Sequence, residues 1–215
     1  MMKAAIFDMD GTLLDSMGMW NHALTDYLTS KGIKTISDEI KGRLATITFS
    51  DASVLISEQL VTDKTADEVY REIEAFVFEQ YRTVIELKPY VRDYLIQLQQ
   101  KGVHMCVATL TNRPMVEAVL KRLEVADFFD FILTVPEVGA TKAEPKIYLE
   151  AVKRFGCAKD DCVVFEDSCY ALTTAKNAGF YCIGVDDPWQ DISEKFIHQY
   201  CDQFITGFEE LLEDQ

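Results

Sequence analysis

The hydrophobic residues follow two different spacings, and the change from one to the other divides the chain. Short apolar runs that end in turn residues, of which Ala4 to Phe7 is the first, predict buried parallel strands. Between residues 16 and 86, apolar positions instead recur at helical spacing, and no segment there has the pattern of a strand. From residue 87 to 185, strand-like and helix-like segments alternate. A helical block therefore interrupts an otherwise alternating chain.

The predicted helix boundaries follow from capping residues and glycines. For example, Ser16 is the predicted N-cap of the first helix, and Gly32 is predicted to end it. The predicted helices cover residues 17–30, 38–44, 50–60, 65–82, 89–100, 114–123, 145–156 and 170–179. The later predicted strands cover residues 103–108, 131–135, 162–165 and 181–185. The tail from Trp189 to Gln215 is predicted to be mainly helical, with a short edge strand at Phe204 and Ile205.

Strands that alternate with helices of this length predict right-handed βαβ units and a parallel sheet. The expected fold class is α/β, with a Rossmann-like core that has helices on both faces of its sheet. The helical block is most simply an insert after the first strand. We therefore expect a catalytic core from residues 1–15 and 87–215, and a small all-α cap domain from residues 16–86.

The amino-acid composition excludes several classes of binding partner for this protein. The 215-residue chain carries a net charge of −15, which argues against binding to nucleic acid or to anionic membranes because both require a basic face. No apolar run approaches the roughly 20 residues of a membrane span. Six scattered cysteines without metal-site or redox spacing, and no signal peptide pattern, predict reduced, buried thiols and a cytoplasmic protein. The expected partner is a small molecule, and a monomer is the default.

Polar residues follow the predicted strands at their carboxyl ends, where open α/β sheets bind ligands. Asp8 and Asp10 come directly after the first strand, and they share one face because strand side chains alternate. Two neighbouring carboxylates repel unless a cation lies between them or one binds a proton. Other chemically active side chains at the expected sheet edge are Thr109, Lys142, Glu166 and Asp167.

Four stretches in this order resemble the haloacid dehalogenase superfamily, specifically its phosphatase-type members with a helical cap after the first motif. They are FDMDGTL at residues 7–13, Thr109, Lys142 ahead of Pro145, and VFEDS at residues 164–168. The resemblance covers essentially the whole chain. The family often has proline directly after the lysine, whereas this chain has Ala143, which weakens the match of that loop but not the need for its charge.

The resemblance implies a magnesium-dependent phosphatase that acts on a small phosphorylated metabolite. Asp8 would be the nucleophile that forms an aspartyl-phosphate, and Asp10 would be the general acid and base. Thr109 and Lys142 would bind the phosphoryl group. Asp8, Asp167 and the backbone carbonyl of Asp10 would bind Mg²⁺, while Glu166 would contact the ion directly or support another ligand.

Two alternatives stay open. A β-phosphoglucomutase-like sugar phosphomutase shares the four motifs, but that group uses a histidine in the first cap helix and an arginine in the next cap segment. Here Trp20 falls near the histidine position with His22 two residues on, and Arg43 lies before the expected arginine segment. Hydrolysis is therefore favoured over transfer within a sugar phosphate. The non-enzymatic alternative is a regulatory or binding protein on the same fold, and the substrate depends on the residues that line the cap.

Overall fold

The computed structural model describes residues 2–213 and contains one six-stranded sheet in which every neighbouring pair of strands is parallel. The strand order is β3-β2-β1-β4-β5-β6. Because β1 lies between β2 and β4, the order of the strands reverses at β1, which is where open α/β sheets form a crevice. The strands are β1 (Ala4–Phe7), β2 (His104–Thr109), β3 (Phe131–Thr134), β4 (Cys162–Glu166), β5 (Tyr181–Val185) and β6 (Gln203–Ile205).

Ten α-helices and three short 3₁₀ turns complete the regular structure of residues 2–213. Five of the helices lie between β1 and β2, and the first four of them form the helical block that the hydrophobic spacing predicted. The helices are α1 (Met17–Ser30), α2 (Asp38–Leu44), α3 (Phe49–Gln59), α4 (Ala66–Thr83), α5 (Val91–Gln100), α6 (Arg113–Arg122), α7 (Val135–Val138), α8 (Lys146–Phe155), α9 (Cys169–Asn177) and α10 (Glu194–Tyr200).

Helices pack on both faces of the sheet. On one face, Ile6 and Val164 share a buried cluster with Ile147 of α8 and Leu172 of α9. On the other face, the ring of Tyr94 from α5 lies 5.8 Å from that of Phe165. Alternate residues of each strand therefore enter different cores. The predicted α/β fold class, with a parallel Rossmann-like sheet between helices, is confirmed.

The chain folds into two compact units. Among the described residues, one unit contains 2–17 and 85–213, and the other is Gly18–Val84. The second unit has its own buried cluster, in which Tyr27, Ile56 and Ile73 are completely buried. We call this second unit the helical unit. That it serves as a cap is a prediction from sequence.

Some boundaries differ from the predicted ones. Helix α3 begins at Phe49 because the hydroxyl of Thr48 accepts from Asp51 N at 3.2 Å and caps the helix. Helix α5 begins at Val91 and not at Pro89, because Tyr90 has a left-handed φ of 61°. The four-residue α7 was not predicted, since a single turn is too short to show a helical period, and its residues were assigned to the end of a strand (Val135) and to a loop (136–138).

The prediction of a mainly helical tail was wrong. Among residues 189–213, only α10 and one 3₁₀ turn are helical, whereas β6 forms close to the predicted edge strand. The segment before α10 is held as a loop, because Asp187 Oδ1 accepts from Trp189 N at 3.0 Å. The last two residues of the predicted tail lie outside the described residues.

Two further expectations concern cysteines and membranes. All six cysteines are free thiols, as expected, but only Cys106, Cys162 and Cys182 are buried, and the other three are partly exposed. Within residues 2–213, every helix is too short or too polar to cross a bilayer.

Candidate active site

The central strand pair places Asp8 beside the carboxyl end of β4. Phe7 is in register with Phe165, and their rings stack with centroids 4.4 Å apart. The ladder continues one residue further, because Asp8 N donates to Phe165 O at 2.9 Å. The parallel register therefore brings Asp8 next to the two acidic residues that follow Phe165.

Three buried carboxylates form the centre of this site. Asp8, Glu166 and Asp167 are 7%, 1% and 2% exposed, and each offers an oxygen within 4.8 Å of the others. Burial of several carboxylates in one place is unfavourable unless cations or protons balance them. The arrangement therefore requires a compensating positive charge.

Lys142 supplies part of that charge. Its Nζ contacts Asp8 Oδ1 and lies 2.5 Å from Glu166 Oε1, and its side chain is 1% exposed. Burial acts to lower the pKa of Lys142, but the charges of Asp8 and Glu166 outweigh burial and hold that pKa well above its usual range. Lys142 is thus a buried ammonium ion in direct contact with the carboxylate that follows β1.

Burial opposes the ionisation of two of these side chains, Asp8 and Asp167. Burial raises the pKa of Asp8 well above its usual range, with Lys142 opposing the shift and Glu166 adding to it. Burial and the charge of Glu166 likewise raise the pKa of Asp167 to about 7. A divalent cation among these oxygens would favour their charged forms.

Both carboxylate oxygens of Glu166 accept hydrogen bonds. Oε1 accepts from Lys142 and lies 3.4 Å from the Tyr148 hydroxyl. Oε2 accepts from the backbone N–H of Asp167 at 3.1 Å and of Ser168 at 3.2 Å. Glu166 therefore orients Lys142 and fixes the turn that follows β4.

Asp167 lies directly against the turn that follows β1. Its Oδ1 accepts from the buried Thr12 hydroxyl at 3.1 Å. Gly11 has φ of 81°, and a Cβ at this position would lie 2.7 Å from Asp167 Cγ. A glycine is needed here both for the left-handed backbone and for space beside the carboxylate.

Asp10 has different partners from those of Asp8. Its Oδ1 accepts from the Ser16 hydroxyl at 2.7 Å, and its Oδ2 accepts from the Thr111 hydroxyl at 2.6 Å. The backbone N–H of Thr111 in turn donates to Thr109 Oγ1 at 3.1 Å. The turn after β2 is thereby joined to the turn after β1.

The structure thus brings Asp8, Lys142, Glu166 and Asp167 into one contact network, and it places Thr109 and Asp10 in an adjoining one. Sequence reasoning did not identify Thr12, Ser16 and Tyr148 as members of these networks. Hydroxyl residues at such positions resemble ordinary caps or core residues, and only the tertiary contacts reveal their partners.

The residues discussed for the helical unit have local partners. Trp20 Nε1 donates to the Tyr81 hydroxyl at 2.9 Å, and the indole stacks on Phe49 with centroids 5.8 Å apart. His22 Nδ1 lies 2.9 Å from Gly18 O, and Arg43 is exposed. Trp20 therefore packs within the helical unit.

Comparison with known proteins identifies relatives over most of the chain. Hexitol phosphatase B of Escherichia coli (strain K12) is 26% identical over 195 residues, which cover 90% of this chain and 88% of the relative. A phosphorylated carbohydrates phosphatase of Thermotoga maritima is 28% identical over 178 residues, covering 83% and 82% of the two chains. These relatives support the predicted enzyme class, a phosphoric monoester hydrolase.

Solved structures share the fold. A crystal structure of a Thermotoga maritima protein aligns with a TM-score of 0.82 at 24% identity, over 95% of this chain and 94% of the other. CbbY of Rhodobacter sphaeroides, solved in complex with phosphate, aligns with a TM-score of 0.74 at 25% identity, over 98% and 96%. The family model for haloacid dehalogenase-like hydrolases matches residues 2–179. The chain belongs to the haloacid dehalogenase-like hydrolase family, as its motifs predicted.

Proposed function

We propose that this protein is a magnesium-dependent phosphatase that hydrolyses a small phosphorylated metabolite through an aspartyl-phosphate on Asp8. The main support for this proposal is the contact between the buried Lys142 ammonium group and Asp8. A carboxylate paired with a buried cation suits a nucleophile for a phosphoryl group, because the cation also neutralises the equatorial phosphoryl oxygens.

The reaction divides into two steps. In the first, an Asp8 oxygen bonds to phosphorus, the ester P–O bond breaks, and Asp10 transfers its proton to the leaving oxygen. In the second, Asp10 accepts a proton from water as that water attacks the phosphoryl group, which releases inorganic phosphate and restores Asp8. Ser16 and Thr111 orient Asp10, and Thr109 supplies a hydroxyl for the phosphoryl oxygens.

The oxygen-rich cluster suits Mg²⁺, which prefers carboxylate and carbonyl oxygens. Asp8 and Asp167 are the ligands we propose, with the carbonyl of Asp10. Glu166 supports Lys142 because both of its oxygens already have partners. When bound, the ion neutralises charge on the phosphoryl oxygens and on the carboxylates. The space beside Gly11 accommodates Asp167 in this set.

Small phosphorylated metabolites are the proposed substrates. Relatives of this chain include a hexitol phosphatase, a phosphorylated carbohydrates phosphatase and a phosphoglycolate phosphatase, whose names all refer to small phosphate esters. The net charge of −15 disfavours large anionic partners. The acidity of the chain is compatible with an anionic ester only where Lys142 and the metal ion reverse the local charge.

A sugar phosphomutase is the second candidate, since the Thermotoga maritima structure that shares this fold bears the name β-phosphoglucomutase. The position of Trp20 argues against it, because its indole N–H donates to Tyr81 and its ring stacks on Phe49. An indole also lacks the basic nitrogen that a mutase would use for proton transfer. The two activities give different products: hydrolysis releases inorganic phosphate, whereas transfer gives a rearranged sugar phosphate. ³¹P NMR would distinguish these products.

The test is hydrolysis of p-nitrophenyl phosphate with and without Mg²⁺, followed by a panel of sugar phosphates, nucleotides and phosphorylated acids. We expect magnesium-dependent release of phosphate that Asp8→Asn abolishes. The matched control is Asp127→Asn, which alters an exposed acid in a 3₁₀ turn and should leave the rate unchanged. Absence of activity toward every ester, together with binding of a phosphate ester, would instead support the regulatory or binding protein.

A further inference from the structure

Arg113 joins three separate elements next to the proposed phosphate site. It is the first residue of α6, and its guanidinium group bonds to both carboxylate oxygens of Glu137 in α7, at 2.5 Å and 2.6 Å. Nη2 also donates to Ile132 O in β3 at 3.0 Å. Such a two-point contact between guanidinium and carboxylate fixes orientation as well as distance.

Each residue of the Arg113–Glu137 ion pair lies close in sequence to a residue that we propose binds the phosphoryl group. On the Arg113 side, α6 follows the turn that contains Thr111, and Thr109 is the last residue of β2 before that turn. On the Glu137 side, α7 ends at Gly139, and Lys142 follows three residues later. Lys142 is completely buried although α7 has only four residues, so the segment that carries this lysine has little regular structure of its own to hold it.

The positive charge of Arg113 does not stabilise α6, the helix that it begins. A positive charge at the first position of a helix is unfavourable, because the helix dipole is positive at that end. Its contact within α6 is the weaker one, at 3.4 Å from Glu117. The strong contacts are those to other elements, and the Arg113 contact lowers the pKa of Glu137 to about 2.

We propose that the Arg113–Glu137 pair positions the Lys142 segment against the turn after β2, so that Lys142 and Thr109 are held at one fixed separation. Arg113 is a positioning residue and does not contact the substrate. This inference rests on the proposed phosphatase function, and it adds that phosphate affinity depends on a contact outside the carboxylate cluster.

The experiment compares Arg113→Ala, Arg113→Lys and Glu117→Ala with the wild-type protein. We choose to replace Arg113 and not Glu137, because Glu137 also accepts hydrogen bonds from Thr134 at the start of α7, and its replacement would remove those bonds too. Glu117→Ala is the matched control, since it removes a carboxylate from the same guanidinium without separating α6 from α7. The measurements are KM and kcat for p-nitrophenyl phosphate with Mg²⁺, the inhibition constant for inorganic phosphate, Tm, and hydrogen exchange of the peptide covering residues 136–145.

For Arg113→Ala we expect KM and the phosphate inhibition constant to rise together by about tenfold, with a smaller change in kcat. Exchange in residues 136–145 should become faster, while Tm falls by only about 2–4 °C, as for loss of a partly exposed ion pair. Arg113→Lys should give intermediate values because it keeps the charge and loses the two-point geometry.

The inference is overturned if Arg113→Ala leaves both constants within twofold of wild type, or if Glu117→Ala shifts them equally. Its failure is distinct from failure of the proposed function. A wild-type protein that hydrolyses no phosphate ester contradicts the phosphatase itself, whereas an active wild type with unaffected Arg113 variants contradicts only the positioning role.

Discussion

The ammonium group of Lys142 contacts the carboxylate of Asp8, and neither side chain is more than 8% exposed. The two residues are 134 positions apart in sequence. Asp8 follows β1, and the Lys142 segment follows β3 and α7, so the parallel sheet places both at the edge where its strands end. Water does not weaken this contact as it would at the surface. The pair therefore affects both folding and the proposed chemistry.

Loss of Lys142 should be strongly destabilising. Lys142→Met leaves the carboxylates of Asp8 and Glu166 buried without their cation, and we expect the free energy of unfolding to fall by about 3–5 kcal/mol. Urea unfolding without Mg²⁺ measures this. The control is Lys153→Met, whose side chain is 82% exposed. Equal stability of the two variants would argue against a buried charged Lys142.

The space beside Gly11 should be required for activity. Gly11→Ala adds a Cβ at φ of 81° and 2.7 Å from Asp167 Cγ, so we expect a loss of about 1–2 kcal/mol in stability and at least about 10² in the magnesium-dependent rate. Gly32→Ala is the matched control, since its φ is 84° with no atom within 4 Å. It should lose similar stability and keep its activity, and parallel loss of activity in both variants would contradict the specific role of Gly11.

Replacement of Asp10 should separate the two proposed steps. Asp10→Asn still allows Asp8 to attack an ester with a good leaving group, but it removes the base that activates water. We expect a burst of p-nitrophenol followed by turnover slowed by about 10²–10⁴. Stopped-flow absorbance measures both phases.

Ser16→Ala is the comparison for this variant, because it removes one hydrogen bond to Asp10 and keeps the carboxylate. Its effect should be much smaller. Rapid steady-state turnover by Asp10→Asn would show that Asp10 is not the base.

The helical unit should lose stability in acid through Glu72. Its carboxylate bonds to Lys64, Lys31 and Tyr27, and these contacts, led by Lys64, lower its pKa from 4.5 to about 2. A lowered carboxyl pKa stabilises the fold above pH 4.5, and that contribution is lost as the pH falls from 4.5 through about 2.

Glu72→Gln should therefore be less stable than wild type by about 1 kcal/mol at pH 7, with a difference that shrinks steadily below pH 4.5. Urea unfolding between pH 3 and 7 tests this. Glu79→Gln, which alters an exposed pair with Arg82 in the same helix, should stay close to wild type. A Glu72→Gln deficit that grows as the pH falls would contradict the assigned contacts.

Local patterns were sufficient to predict most of the fold. The Ala4–Phe7 run, the helical spacing after Ser16 and the Tyr181–Val185 strand each follow from the period of their hydrophobic residues. The same reasoning was wrong for the tail and missed α7. Short segments there are determined by contacts such as that of Asp187 with Trp189, which leave no periodic signal.

The sequence by itself determined which residue types lie at the carboxyl ends of the strands, and hence the family and its class of reaction. Tertiary structure alone decided the partners of those residues. Glu166 supports Lys142, Gly11 makes room for Asp167, and Arg113 connects α6 to α7. The physical reason is that strand period and caps are local properties, whereas a buried charge is balanced by groups that only the folded sheet brings within hydrogen-bonding distance.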